Sequence, residues 1–276
     1  MPKEYIENRS INSGTSQFSD FKLGDSQVER VYRGDDLIWG DITRLQPRIQ
    51  TTSAMDNTSK GATVSMSYPT GITSGDFLYL TVSFRITASV LALPTGWNKV
   101  FDNNIASRAY SYWKIADGTE TGTFTWSQAE PGTTAIIASM TMFRYDRVDI
   151  ENPIQSVILI DPAGTNNSNN FITTTVTGFP TNINNNPNRL HVFWQHRIQN
   201  SIGGVTHTTT PSGSVNYNRS WVDTSVSPED FYIKRDSIWS DVTGSIADRV
   251  YTSTVTSADG AKAWSAQAVI LRGQIA

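Results

Sequence analysis

The chain has 276 residues, 17% charged and 11% aromatic, with a formal net charge of −3 and no cysteine. The missing cysteines exclude disulfides, thiol nucleophiles and cysteine-bound zinc. The weak negative charge gives no field that would gather nucleic acid or anionic lipid, so neither a nucleic acid nor a membrane is expected as a partner.

Residues 1–20 are polar, rich in Ser and Asn, and without period. They read as an extended arm that gains order only on a partner. The opening MPKEYIENRS lacks the apolar stretch of a signal peptide, and no window reaches the apolar length of a membrane span. The expectation is synthesis and folding in the cytoplasm without export.

Two short apolar runs follow, Val28-Glu29-Arg30-Val31-Tyr32 and Leu37-Ile38-Trp39, on either side of Arg33-Gly34-Asp35-Asp36. Gly beside Asp between two β-prone runs predicts a hairpin, because both residues tolerate the positive φ of tight turns. Leu23-Gly24-Asp25 repeats that punctuation. Residues 41–62 read as a polar connection. An attachment module over 1–44 and a large domain over 45–276 are therefore expected.

From about residue 63 the period is that of strands. In the run Asp76 to Ile86, the positions Leu78, Leu80, Val82, Phe84 and Ile86 make one apolar face, and the other face is mixed. Such alternation predicts a half-buried strand. Leu190 to Ile198 repeats it, with Leu190, Val192, Trp194 and Ile198 on one face. The echo continues in order. Pro94-Thr95-Gly96 is answered by Pro211-Ser212-Gly213. Arg108-Ala109-Tyr110-Ser111 with Ala116-Asp117-Gly118 is answered by Arg249-Val250-Tyr251-Thr252 with Ala258-Asp259-Gly260. The strand Ile136 to Arg144 is answered by Trp264 to Arg272. These landmarks predict internally repeated halves, 63–150 and 187–276, with an insertion at roughly 222–247 in the second. Asn-rich loops link the halves. Since neither half could bury its apolar face alone, the predicted fold is all-β, one β-sandwich of jelly-roll-like kind.

Chemistry is harder to find. His191, His196 and His207 are the only histidines, and the first two fall on opposite faces of a strand, which prevents them from sharing a metal. Asp76, Glu120 and Glu130 are the carboxylates to test as a glycosidase acid and base, yet their spacing pairs none of them. Asp102-Asn103-Asn104 and Asp146 offer hard oxygens of the sort calcium takes, but no spacing matches a calcium loop, and Asp and Asn also make turns unaided. No cofactor, no metal and no catalytic residue is expected. Among the tryptophans, Trp194 and Trp264 fall on the buried face. Trp97, Trp221 and Trp239 are the three placed to contact a glycan if exposed, although Trp is also the largest core filler.

The stretch KLGDSQVERVYRGDDLIWG, with its Val-x-x-Val-Tyr-x-Gly-Asp-x-Leu-Ile-Trp hairpin, resembles a small module of tailed-bacteriophage structural proteins. The order LPTGWNKV, SRAYSYWKIADGTETGTFTWS and TTAIIASMTMFRYDRVDIENPI is similar to β-sandwich domains of phage tail, fibre and virion-surface proteins. The resemblance implies a non-enzymatic virion component, made in the host bacterial cytoplasm and partnered by other virion proteins and by its own copies. It implies a tail fibre or receptor-binding appendage, with a capsid decoration protein as the alternative. A carbohydrate-binding module is the alternative from another class, and a host surface glycan is the accompanying partner. Attachment is expected through Val28, Val31, Tyr32, Leu37, Ile38 and Trp39. In the resembling modules the position of Arg33 varies, so Arg33-Gly34-Asp35 reads as a hairpin turn rather than an adhesion triplet.

Overall fold

The computed structural model describes residues 22–23, 26–27, 30–33, 36–40, 44–61, 63–85, 93–103, 109–127, 136–160, 171–179, 188–199, 205–210, 215–223, 231–242, 246–256 and 261–275. The arm 1–20, Val28, the Gly34-Asp35 turn, Glu130 and the Asn-rich runs lie outside these residues. The chain divides into two compact units, Met1–Ile42 and Thr43–Ala276.

In the first unit, β1 (Lys22–Leu23) pairs antiparallel with β2 (Ser26–Gln27), and β3 (Arg30–Arg33) with β4 (Asp36–Gly40). Leu23 is opposite Ser26, and Arg33 is opposite Asp36. Both hairpins thus close across a Gly-Asp pair in the sequence, as the turn chemistry predicts. Val31 pairs with Trp39 and Tyr32 with Leu37, so Ile38 is the extra residue of a β-bulge.

The second unit is built entirely of strands and irregular segments among its described residues, and every strand pair is antiparallel. Its first half comprises β5 (Arg48–Gly61), β6 (Thr63–Ser67), β7 (Phe77–Arg85), β8 (Asn98–Asn103), β9 (Ala109–Ile115), β10 (Thr123–Ser127) and β11 (Ile136–Asp146). The second comprises β12 (Ile154–Ile160), β13 (Phe171–Val176), β14 (Asn188–Gln199), β15 (Val205–Thr210), β16 (Val215–Asp223), β17 (Phe231–Val242), β18 (Val250–Thr256) and β19 (Ala261–Arg272). Each half has a five-stranded sheet, ordered β5-β11-β7-β9-β8 in the first and β12-β19-β14-β17-β16 in the second. The smaller sheets are β10-β6 and β13-β18-β15. With β15 set aside, both halves follow one strand order. The first strand lies beside the seventh, then come the third, fifth and fourth, while the second and sixth pair in the small sheet.

This arrangement corrects the sequence reading in three places. Residues 222–247 are not an insertion: β17 takes the place that β9 takes in the first half, and the added strand is β15. The Arg-x-Tyr echo joins non-equivalent strands, because Tyr110 lies on β9 and Tyr251 on β18. The halves also begin earlier than expected, at β5 and β12, which are edge strands without strict alternation.

There are two sandwiches, not one. Val64 and Met66 of β6 and Phe124 and Trp126 of β10 pack on Leu78, Leu80 and Val82 of β7 and Met140 and Met142 of β11. Val176 of β13 and Tyr251 of β18 pack on Leu190, Val192 and Trp194 of β14 and Ala266, Ala268 and Ile270 of β19. A third cluster joins the outer faces of the two large sheets: Phe77, Tyr79, Phe143 and Tyr145 from the first half meet Val269 and Leu271 of β19. The order of layers is therefore small sheet, large sheet, large sheet, small sheet. Strand β7 shows the consequence. Its even face is core, as the alternation predicts, but Phe77, Tyr79 and Thr81 on the mixed face are buried as well.

Candidate functional site

The polar groups buried between the large sheets are few and specific. Alternation along β14 sends Leu190, Val192 and Trp194 into the second sandwich and His191 toward the first. There the His191 Nδ1 lies 2.7 Å from the Tyr145 hydroxyl, and the ring meets Tyr79 and Phe143 edge-on at 5.0 and 4.6 Å. Burial, with the charge of Arg189 adding to it, lowers the His191 pKa to about 3, so the ring is neutral near pH 7. Burial likewise pushes the Tyr79 and Tyr145 hydroxyls well above the ordinary tyrosine value. The Ser111 hydroxyl on β9 donates to the Gln267 Oε1 on β19 at 2.6 Å. At the end of the sheets Arg44 reaches Asp149 at 2.9 Å and the Gly273 carbonyl at 2.6 Å. A neutral histidine bonded to a neutral phenol inside a packed interface holds two layers in register.

Of the carboxylates weighed as an acid and base, Asp76 and Glu120 are each engaged by a different cation. Asp76 is buried, 2.8 Å from the Arg144 Nε, and accepts from the Thr73 amide at 2.7 Å. Glu120 is buried, 2.5 Å from the Lys114 Nζ, and accepts from the Gly118 amide at 3.1 Å. Burial alone would raise the Glu120 pKa, but Lys114 and the turn amides hold it below the ordinary value. These side chains brace the two loops flanking β7 and β9, each buried and paired with a cation. Asp146, weighed as a calcium ligand, is 2.6 Å from the Arg48 guanidinium and 2.8 Å from the Gln50 amide nitrogen. No group of three or more His, Asp or Glu is placed to hold a metal among the described residues.

The three tryptophans named for glycan contact separate. Trp97 is 4% exposed and packs against Phe124 with ring centroids 5.6 Å apart, so it is core and not a sugar platform. The Gly96 turn, at a φ of +78°, directs the chain inward there. Trp239 on β17 is opposite His191, and so shares a row with the junction between the sandwiches. Trp221 on β16 is opposite Ile233, which is opposite Arg197 of β14, at the far end of the same sheet face.

That far end holds residues that sequence reading passed over. Arg235 of β17 is opposite Gln195 of β14 on one side and Arg219 of β16 on the other. Arginines 197, 219 and 235 therefore occupy adjoining rows of one face. They are scattered in sequence, and only the strand register brings them together.

Of the attachment residues, Val31, Tyr32, Leu37, Ile38 and Trp39 lie on the β3–β4 hairpin, while Val28 is outside the described residues. On the second unit, edge strand β12 exposes Val157 by 38% and Leu159 by 48%. Comparison with protein-family models, with curated proteins and with solved structures finds no match to this chain.

Proposed function

We propose that this chain is a non-enzymatic structural protein of a tailed-phage virion. Within that class it is a tail-associated fibre or receptor-binding appendage, held to the particle by its N-terminal segment. The observation that carries the reading is the division of labour along the chain. Among the described residues three hydrophobic cores lie within 43–276, while 1–42 is a separate unit holding the Val-x-x-Val-Tyr-x-Gly-Asp-x-Leu-Ile-Trp hairpin. An isolated two-stranded hairpin is marginal in water. Val28, Val31, Tyr32, Leu37, Ile38 and Trp39 supply the apolar groups through which a neighbouring virion protein would stabilise it.

The large unit then serves as the outward or inter-copy body. Its β12 edge, which has no strand on its other side among the described residues and exposes Val157 and Leu159, supports association with further copies of itself. A surface glycan of the host bacterium is the receptor class in this reading.

The test is a particle assembled with a chain lacking residues 1–42. The truncated protein folds, since its cores are intact, and fails to enter particles. Arg33→Lys incorporates and infects normally, because the hairpin needs the Gly-Asp turn and not the triplet. Full occupancy by the truncated chain, or loss of infection from Arg33→Lys alone, would overturn the assignment. Density for the protein on the head rather than the tail in an image reconstruction selects the decoration role instead.

A further inference from the structure

We infer that the end of the large unit formed by Arg44 and residues 147–150 and 273–275 is a docking surface, on which Arg147 takes a carboxylate of the neighbouring virion protein between the exposed Ile150 and Ile275. The inference rests on the attachment reading above and names a second contact with the protein that holds residues 1–42. The path of the chain fixes the place. Three residues, Asp41, Ile42 and Thr43, link the last residue of β4, Gly40, to Arg44, which is at most about 14 Å of chain. Arg44 bridges Ile275, and the Leu45 amide donates to the Gln274 carbonyl at 2.7 Å. On the other side of that segment Val148 bridges Gly273, and the Gln274 amide donates to the Arg147 carbonyl at 2.8 Å. A protein that grips the hairpin is thus one short tether from this surface.

The surface is rigidly held. Asp149, paired with Arg44, also accepts from the Glu151 and Asn152 amides at 3.1 Å each, and its own amide donates to the Arg272 carbonyl at 3.0 Å. On this frame Arg147 is the one non-glycine residue with positive φ among the described residues, at +59°. That conformation is strained for an L-residue, and such strain is kept where a side chain has to be presented. Arg147 is exposed, and the carboxylates on either side of it are taken, Asp146 by Arg48 at 2.6 Å and Asp149 by Arg44. Ile150 is 51% exposed and Ile275 55%. With Val148 opposite Gly273, Arg147 lies between these two along the ladder, Ile150 being toward Leu271. An arginine flanked by apolar side chains has the make-up of a binding hot spot, and its planar fork matches a carboxylate with two parallel N–H donors. The intramolecular competitor is Glu151, exposed and next to Ile150.

The experiment uses particles assembled with the full-length chain. The sequence has no cysteine, so one introduced thiol reports on one place. Gln274→Cys puts it at an exposed position beside Ile275. Thr63→Cys puts it, also exposed, at the opposite end of the first sandwich: Gly61, two residues earlier, is opposite the first residue of β11, while the last is opposite Arg48. Maleimide labelling of each variant in the particle is compared with the same variant free in solution. The Gln274→Cys thiol slows by about tenfold or more in the particle, and the Thr63→Cys thiol does not. Arg147→Gly, co-assembled with an equal amount of parent, is outcompeted by about tenfold, the loss typical of an arginine hot spot. Its thermal midpoint stays at or above that of the parent, because glycine adopts the positive φ without strain. Absence of the parent from purified particles overturns the attachment reading and this inference with it. A parent that is present, with Gln274→Cys labelled as fast as in solution, leaves attachment through 1–42 standing and removes this surface. Equal protection of both thiols, or equal co-assembly of Arg147→Gly, removes it as well. The inference also falls if Arg147→Gly and Glu151→Gln lower the midpoint alike while incorporation is unchanged, because the arginine then serves an internal ion pair.

Discussion

The Tyr145 hydroxyl of the first sandwich and the His191 imidazole of the second are hydrogen-bonded at 2.7 Å in the buried layer between the two large sheets. Each group is neutral near pH 7, so the contact avoids the desolvation cost of a buried ion pair. Changing Tyr145 to Phe keeps the ring that packs in the shared core and removes the bond. It should cost about 1–3 kcal/mol, the penalty for a buried group that loses its partner, read from urea midpoints.

The same histidine makes the fold acid-sensitive. Its folded-state pKa, about 3, lies below the ordinary value of 6.5, so the unfolded chain binds the extra proton between these limits. Stability therefore falls as pH drops from about 6.5 toward 3, by up to about 1.4 kcal/mol per unit. The carboxylates of Glu120, Asp146 and Asp149 are held below their ordinary values, and their contribution is lost only at the lower end of the range. Unfolding free energy measured from pH 7 to pH 5 isolates the histidine. His191→Asn should flatten that slope, whatever its effect on stability at pH 7. An unchanged slope would mean that His191 is not the group responsible.

Ser111 and Gln267 give a second link across the layer and a different expectation. Ser111→Ala strands the Gln267 Oε1 in a buried site, at a cost of about 1–3 kcal/mol. Among the described residues the buried Gln267 Nε2 has no hydrogen-bond partner. Replacing both residues, as Ser111→Ala with Gln267→Leu, removes every polar group of the pair while keeping its volume. The double variant should thus be more stable than the Ser111→Ala single, in a denaturant series with all four proteins. If the two costs simply add, the link is not the reason these residues are buried.

The even face of β7 was legible because Leu78, Leu80 and Val82 alternate with polar and aromatic neighbours, and alternation is a local signal. The burial of Phe77, Tyr79 and Thr81 was not legible. It comes from the second sandwich, and no local period reports which outer face meets another domain half. The Arg-x-Tyr echo misled for a related reason. Tyr110 and Tyr251 are both buried against a core, so the same residue type recurs for packing reasons on strands that are not equivalent. The Gly-Asp hairpins were readable, since a tight turn is specified within a few residues. The opposition of Arg219 and Arg235 needed the strand register, which depends on pairings set far along the chain. Trp97 was open to either a glycan or a core role by sequence, and its ring packs in the core of the first sandwich.

Gly118 tests the bracing of the loops. Its φ is +92°, and a Cβ there would lie 3.2 Å from the backbone nitrogen of Ser74. Its amide also donates to Glu120, which is paired with Lys114. Gly118→Ala meets both the strained backbone and a neighbour that is main chain. It should destabilise by about 1–3 kcal/mol in thermal or chemical melts. Gly75→Ala shares the positive φ but meets nothing within 4 Å, so its cost should be the smaller of the two.

The last prediction concerns the exposed edge. Strand β12 pairs with β19 on one side, and among the described residues its other side has no strand. Val157 is opposite Val269 and Leu159 is opposite Gln267, so both belong to the face that forms the shared core between the sandwiches. The apolar interior thus continues outward onto a strand that remains 38% and 48% exposed at those two residues. Edge strands of soluble proteins are commonly blunted by Lys, Pro or a bulge. This one has a register shift between Ile154 and Ser156 and then places Ser-Val-Ile-Leu-Ile along the edge. Two antiparallel copies related by a two-fold axis would join their large sheets edge to edge and cover both residues. Val157→Lys places a charge at that contact while altering a partly exposed position. Monomer stability should change by about 0.5 kcal/mol or less. Sedimentation velocity should show the parent as an oligomer and the variant shifted to smaller species. A parent that is monomeric throughout the micromolar range, or a variant that assembles as the parent does, would assign association to another surface.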